Sequence, residues 1–271
     1  KVIPDPLTLV GVLDEPKLAD VTIPETVDMI GFECFSGCVS LKSIRVPAGV
    51  TMMEGSVFKG CTSLTTFSPL LPSTLSNSNN GQVFDGCTSL TGDVVHASEA
   101  VTSWGNKMFA NTKVTSFTSP TIMDLSSGQM FDSCTMLTNV SMPSIVKIGT
   151  RTFRGCTALK SVTLGESLET LGNESFVNCS ALTTVTPLLP ASLTELGQCA
   201  FSQTAVEGDV VLPANTITST YSWSNDAYGW FNGTQITSFD GSAATMTEIV
   251  NGSPSSSAPT AKMKSVCASG R

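Results

Sequence analysis

Residues Phe153-Arg-Gly-Cys-Thr-Ala-Leu-Lys-Ser-Val162 spell F-x-x-C-x-x-L-x-x-V, and the same phrase returns on both sides of them. Copies open at Phe35, Phe58, Phe84, Phe131 and Phe176, with Cys38, Cys61, Cys87, Cys134 and Cys179 in the place of Cys156. Phe109, Phe201 and Phe231 open copies in which Thr112, Thr204 and Thr234 replace the cysteine. The nine phenylalanines stand 22 to 30 residues apart. A period in the twenties marks a solenoid, in which each unit buries its apolar face only against its neighbours. The spacing therefore predicts one elongated body of about nine repeats, not two globular lobes.

Within a unit, the stretch after the leucine alternates, as in Leu41-Lys-Ser-Ile-Arg-Val-Pro47 and Leu137-Thr-Asn-Val-Ser-Met-Pro143. Alternation gives a short strand with one buried face, and the proline, which has no amide hydrogen for a further ladder bond, ends it. A second short strand is expected at Val146-Lys-Ile-Gly149 and Leu168-Glu-Thr-Leu-Gly172, the glycine supplying a turn. F-x-x-C-x-x-L then returns the chain in a helical or 3₁₀ turn. The fold class predicted is a repeat solenoid of short parallel strands.

Six cysteines at one repeat position form a column with one thiol per turn. Neighbouring rungs lie ~4.8 Å apart, beyond the ~3.5–4.5 Å that disulfide-bonded Cβ atoms prefer. Buried free thiols are expected, packing as small hydrophobes. Only 13% of residues are charged, and the net charge of −8 with a pI near 4.6 argues against a nucleic-acid partner. The sequence has no run of 18 apolar residues and no charged-then-apolar leader, so any export signal is expected to have been removed or never to have been present.

The pattern L-x-x-I-x-I-P, then I-G, then F-x-x-C-x-x-L resembles the BspA-like class of leucine-rich repeats over about residues 18–245. The resemblance implies a curved right-handed coil with a parallel sheet on its concave side. It also implies surface proteins that adhere to proteins or cells, with no catalytic residues to carry over. On this reading residues 1–17 form an N-terminal cap, 18–250 the repeat domain and 251–271 a Ser/Pro-rich linker or tail.

Each strand is expected to expose the residues flanking its central apolar position, among them Arg45, Thr66, Thr118, Asn139, Thr163 and Thr186. Two columns of small polar groups result, able to bind a protein or glycan through many weak contacts. Such a ladder would also suit ice, but curvature, Arg45 and Asp240 spoil its regularity. A second candidate contact is the long turn before Phe231, which holds Tyr221, Trp223, Tyr228 and Trp230; Trp230, directly before the anchor, also fits the core.

A longer period is visible as well. Thr65-Thr-Phe-Ser-Pro-Leu-Leu-Pro72 matches Thr183-Thr-Val-Thr-Pro-Leu-Leu-Pro190, and Gly92-Asp-Val-Val95 matches Gly208-Asp-Val-Val211. A block of about five turns is duplicated. Each GDVV copy carries one residue too many for its strand, which predicts a bulge and reads its aspartate as a turn former. His96, the only histidine, falls where the second copy has Leu212, a position expected to face inward.

No nucleophile with a base, metal-ligand spacing or phosphate loop can be assembled. The sequence thus points to a non-catalytic, extracellular or cell-surface binding module without a cofactor. The alternative is a structural spacer that presents a fused neighbouring domain.

Overall fold

The alternating stretches form strands and the coil closes around the phenylalanines. The computed structural model describes residues 8–9, 18–68, 71–75, 81–96, 98–214, 217–218, 230–231 and 233–240. In chain order its strands begin with β1 (Thr8–Leu9), β2 (Asp20–Thr22), β3 (Met29–Ile30), β4 (Ser43–Arg45), β5 (Met52–Met53) and β6 (Thr66–Ser68). They continue with β7 (Thr91–Val95), β8 (Lys113–Thr118), β9 (Asp124–Leu125), β10 (Asn139–Met142), β11 (Lys147–Ile148) and β12 (Ser161–Leu164). The last are β13 (Thr170–Leu171), β14 (Thr184–Thr186), β15 (Glu195–Leu196), β16 (Glu207–Val211), β17 (Ile217–Thr218) and β18 (Gln235–Asp240).

All pairings between these strands are parallel and join equivalent positions of successive turns, as a stacked coil requires. One wall carries the longer strands in three separate sheets, β2-β4-β6, β7-β8-β10-β12-β14 and β16-β18. A second wall carries two-residue strands, β1-β3-β5 and β9-β11-β13-β15-β17. β1 lies within the segment expected to cap the coil, and its pairing with β3 extends this second wall by one rung. Residues 251–271 lie outside the described residues.

The third wall is the phenylalanine turn, and among the described residues it contains no helix. Left-handed residues two positions before and two after each anchor from Phe35 to Phe201 explain why. Around Phe153 and Phe176 these are Arg151 (φ 58°), Gly155 (72°), Glu174 (55°) and Asn178 (62°). Such residues interrupt a right-handed helix and turn alternate amides toward the next coil. Each anchor amide then donates to a carbonyl one turn on, from Phe35 to Val57 (2.8 Å) through Phe201 to Trp230 (2.8 Å).

The rings stack without a gap. From Phe35 to Phe231 the eight successive centroid separations are 5.0–5.6 Å, with planes within 9° of parallel. Such pairs contribute about 0.5–1.5 kcal/mol beyond the area they bury.

Beside the rings runs the thiol column. Cys38, Cys61, Cys87, Cys134, Cys156 and Cys179 are buried and free. Burial pushes the Cys134 thiol up to about 12, so it stays protonated. Each thiol from Cys61 onward donates to the anchor carbonyl of the preceding cysteine-bearing or threonine-bearing turn, for example Cys156 to Phe131 (3.1 Å) and Cys134 to Phe109 (2.9 Å). Thr112, Thr204 and Thr234 donate instead to the carbonyl of their own anchor, at 2.7–2.9 Å. The position therefore requires a hydrogen-bond donor as well as a small volume.

The glycines of the second wall act differently from the sequence expectation. Gly149, Gly172 and Gly197 have no left-handed φ, yet a methyl on Gly172 would lie 2.6 Å from the carbonyl carbon of Gly149, and one on Gly197 2.3 Å from that of Gly172. They are needed for close approach of backbone to backbone, and the turn itself is made two residues later. Hydroxyls tie the corners in the same direction. Thr74 donates to Ala48 and Val50, Ser98 to Leu75, Thr121 to Ser98 and Ser144 to Pro120. Part of the Ser/Thr richness thus stitches turn to turn.

Phe153→Ala removes a ring stacked on both sides and is expected to destabilise by about 3–5 kcal/mol, whereas Thr163→Ala on the outer face should stay within about 0.5 kcal/mol. Thermal melts by circular dichroism will separate them, and equal effects would contradict the face assignment. Gly172→Ala should cost about 1–3 kcal/mol, through a clash with backbone that cannot move alone.

Candidate functional site

The wall of longer strands offers the most regular surface. Within β8, β10, β12 and β14, register places Ser116, Asn139, Ser161 and Thr184 in one column and Thr118, Ser141, Thr163 and Thr186 in the next. Phe117, Val140, Val162 and Val185 lie between the columns and face the core. Thr118, Asn139, Thr163, Thr184 and Thr186 are exposed, while Ser116, Ser141 and Ser161 are half-buried. Ser161 donates to Asn139 Oδ1 at 2.8 Å, which orients the amide. Arg45 lies on β4, exposed and 3.4 Å from the Glu25 carboxylate. Thr66 is in β6, between Ser43 and the first break in the wall; its side chain lies outside the described residues.

The breaks coincide with the duplicated segments. β6 does not pair with β7, nor β14 with β16, and both gaps follow a copy of Pro-Leu-Leu-Pro. The strand beyond each gap carries the expected bulge, between Gly92 and Asp93 in one copy and between Gly208 and Asp209 in the other. Gly92 and Gly208 have φ of 110° and 99°, which a side chain would resist.

The aspartates are not turn formers, because the bulge displaces them onto the outer strand face. Asp93 Oδ1 accepts from Thr115 Oγ1 (2.8 Å) and Ser116 Oγ (2.6 Å). Asp209 Oδ1 accepts in the same way from Thr237 (2.9 Å) and Ser238 (2.6 Å). These bonds hold both carboxyls below their ordinary range, the serine contributing first and the threonine second. The sequence carried a signal for this cluster, since Thr-Ser recurs after each GDVV at Thr115-Ser116 and Thr237-Ser238.

Of the aromatic candidates, Tyr221, Trp223 and Tyr228 lie outside the described residues. Trp230 is 5% exposed and packs in the core next to the last ring of the stack. Its indole is therefore not a contact surface, because the residue before each anchor points inward, as Met108, Met130 and Ala200 do.

His96 faces inward too. It is 1% exposed, 5.1 Å edge-on to the Trp104 ring, with Nδ1 2.8 Å from Ser119 Oγ and 3.5 Å from Thr121 Oγ1. Among the described residues no group of three or more His, Cys, Asp or Glu could hold a metal ion, and no helix is long and apolar enough to cross a membrane.

A model of the BspA type leucine rich repeat region, in six copies, matches residues 13–137 and 127–253. The chain belongs to that family. A leucine-rich repeat protein from Bacteroides ovatus ATCC 8483 has a similar fold, with a TM-score of 0.66 over 86% of this chain at 23% identity. The BspA-type chain spans 62% of the length of that relative. A T. pallidum leucine rich repeat protein is 26% identical, with a TM-score of 0.48 over 69% of this chain and 77% of its own. A leucine rich cell surface protein from Faecalibacterium prausnitzii A2-165 is 18% identical, with a TM-score of 0.39 over 83% and 80%. A comparison with curated proteins gave no match.

Burial holds the His96 imidazole of this BspA-type coil down to about 4, against 6.5 in the unfolded chain. Between those values the unfolded state binds more protons. The stabilising contribution is therefore complete above pH 6.5 and declines as pH falls toward 4, by about 3 kcal/mol in all. His96→Leu, the residue of the second copy, should flatten this part of the pH dependence in melts recorded between pH 4 and 7.

Proposed function

We propose that the chain is a non-catalytic binding module, secreted or held at the cell surface, which recognises a protein or glycan through its wall of longer strands. One observation carries this reading. Two in-register columns of hydroxyl and amide groups run along four successive strands of one uninterrupted sheet, five of the eight groups exposed and three half-buried, while the apolar residue between them is buried. Hydroxyls and amides both donate and accept, so the sheet can form many weak directional bonds across a broad partner. The family commonly operates at microbial surfaces, which supports that location. Arg45 and Thr66, on the sheet before the first break, would extend the contact, and the 221–230 insertion would offer Tyr221, Trp223 and Tyr228 as a second one.

Glycan and protein arrays probed with the whole chain test this. Specific binding lost on Thr163→Lys, which places a long charged chain in the middle of the face, supports the wall. Loss on Trp223→Ala with Thr163→Lys neutral would move the contact to the insertion. No specific binding to either array would leave the structural spacer as the better account.

A further inference from the structure

Among the described residues, two of the large apolar side chains that stand exposed are Val95 (59%) and Val211 (64%). They occupy the same position in the two copies of the duplicated block. Around them the copies have diverged, Leu90-Thr-Gly-Asp-Val-Val-His96 against Val206-Glu-Gly-Asp-Val-Val-Leu212. The left-handed backbone accounts for retaining the glycine, and burial accounts for Val94 and Val210. Neither accounts for the second valine, which touches solvent.

Asp93 and Val95 are two residues apart on one strand face, as are Asp209 and Val211. Each carboxylate is fixed through one oxygen by two hydroxyls from the next strand, and both the aspartate and the valine of each pair are exposed. The two patches are five strand steps apart, at least ~24 Å along the coil at ~4.8 Å per step. Both stand on the first strand after a break, paired among the described residues on one side only.

We propose that these are two equivalent subsites for a cationic residue and an apolar residue presented two positions apart on an extended polypeptide, and that the partner is a protein carrying this motif twice. Charge selects this occupant. The carboxylates are unneutralised by any ion pair among the described residues, Glu207 adds a second exposed carboxylate to the later patch, and the chain as a whole carries −8. Lys113 opens β8, opposite Thr91, whereas Gln235 occupies that place in β18. The later patch is accordingly the more acidic and should bind the more tightly. This inference rests on the binding reading above and names its partner chemistry.

The probe is the peptide acetyl-Thr-Lys-Thr-Val-Thr-amide, alone and as a tandem of two copies joined by a flexible Gly/Ser linker of about 20 residues, whose r.m.s. span of roughly 22–27 Å matches the patch separation. Titrated against the whole chain by NMR, the tandem should bind at least about tenfold more tightly than the single motif. Asp93→Asn or Asp209→Asn should each return the tandem to single-motif affinity, while Asp20→Asn, on a strand without the valine, should leave it unchanged. Val95→Ser and Val211→Ser should weaken binding without altering the melting temperature. A tandem no tighter than the single motif, equal binding of a Glu-for-Lys peptide, or indifference to both Asn variants would overturn the proposal. An array partner whose binding ignores these variants would sink this assignment and leave the binding module standing.

Discussion

The column of stacked phenylalanines, with its ladder of anchor amides, is the interaction on which the coil depends. It is continuous where the outer sheets are not. Between Phe58 and Phe84, and again between Phe176 and Phe201, the wall of longer strands loses its pairing, yet the rings remain 5.5 and 5.3 Å apart. The anchor amides still reach Val83 and Ala200 at 2.9 and 2.8 Å. A parallel sheet alone could not tolerate such gaps, because an unpaired buried backbone group costs as much as a lost hydrogen bond. The turn wall carries the stacking register past each gap, which leaves the strand wall free to vary.

That freedom has a chemical result on the outer face. After each copy of Pro-Leu-Leu-Pro the next strand of the wall is unpaired with the one before it, and it carries an extra residue at a left-handed glycine. The extra residue turns an aspartate outward, where hydroxyls from the next rung can hold it. Elsewhere the described part of the same face is mostly small hydroxyls, with the Asn139 amide and, on the first sheet, Asp20 and Arg45. The positions that distinguish this coil from a uniform ladder are thus generated by its two irregular turns.

Much of this was legible in the sequence, because a repeat read nine times averages away local ambiguity. The anchors, the thiol column, the alternating strands and the two bulges all follow from residue identity at fixed offsets. What escaped was set by contact between turns. Gly149, Gly172 and Gly197 look like turn glycines until the backbone one rung away is seen beneath them. Arg151 and Glu174 give no sign of left-handed conformation, since charged residues seldom adopt it; stacking imposes it and a bidentate ion pair between them accompanies it. The outward aspartates were misread because the bulge that turns them was placed correctly but its effect on side-chain direction was not followed through. Trp230, read both as contact and as core, is decided by the inward direction shared by every residue preceding an anchor.

The near-identity of successive rungs also bears on how such a molecule changes length. Wherever the chain is cut between two regular turns, the faces produced carry the same ring, thiol and strand positions, so a segment copied or deleted in whole periods meets a surface already shaped to receive it. The duplicated block records one such event. For a coil held by translational symmetry, reach is a heritable quantity separable from stability, and the distance between its two irregular turns can be reset by recombination without redesigning a core.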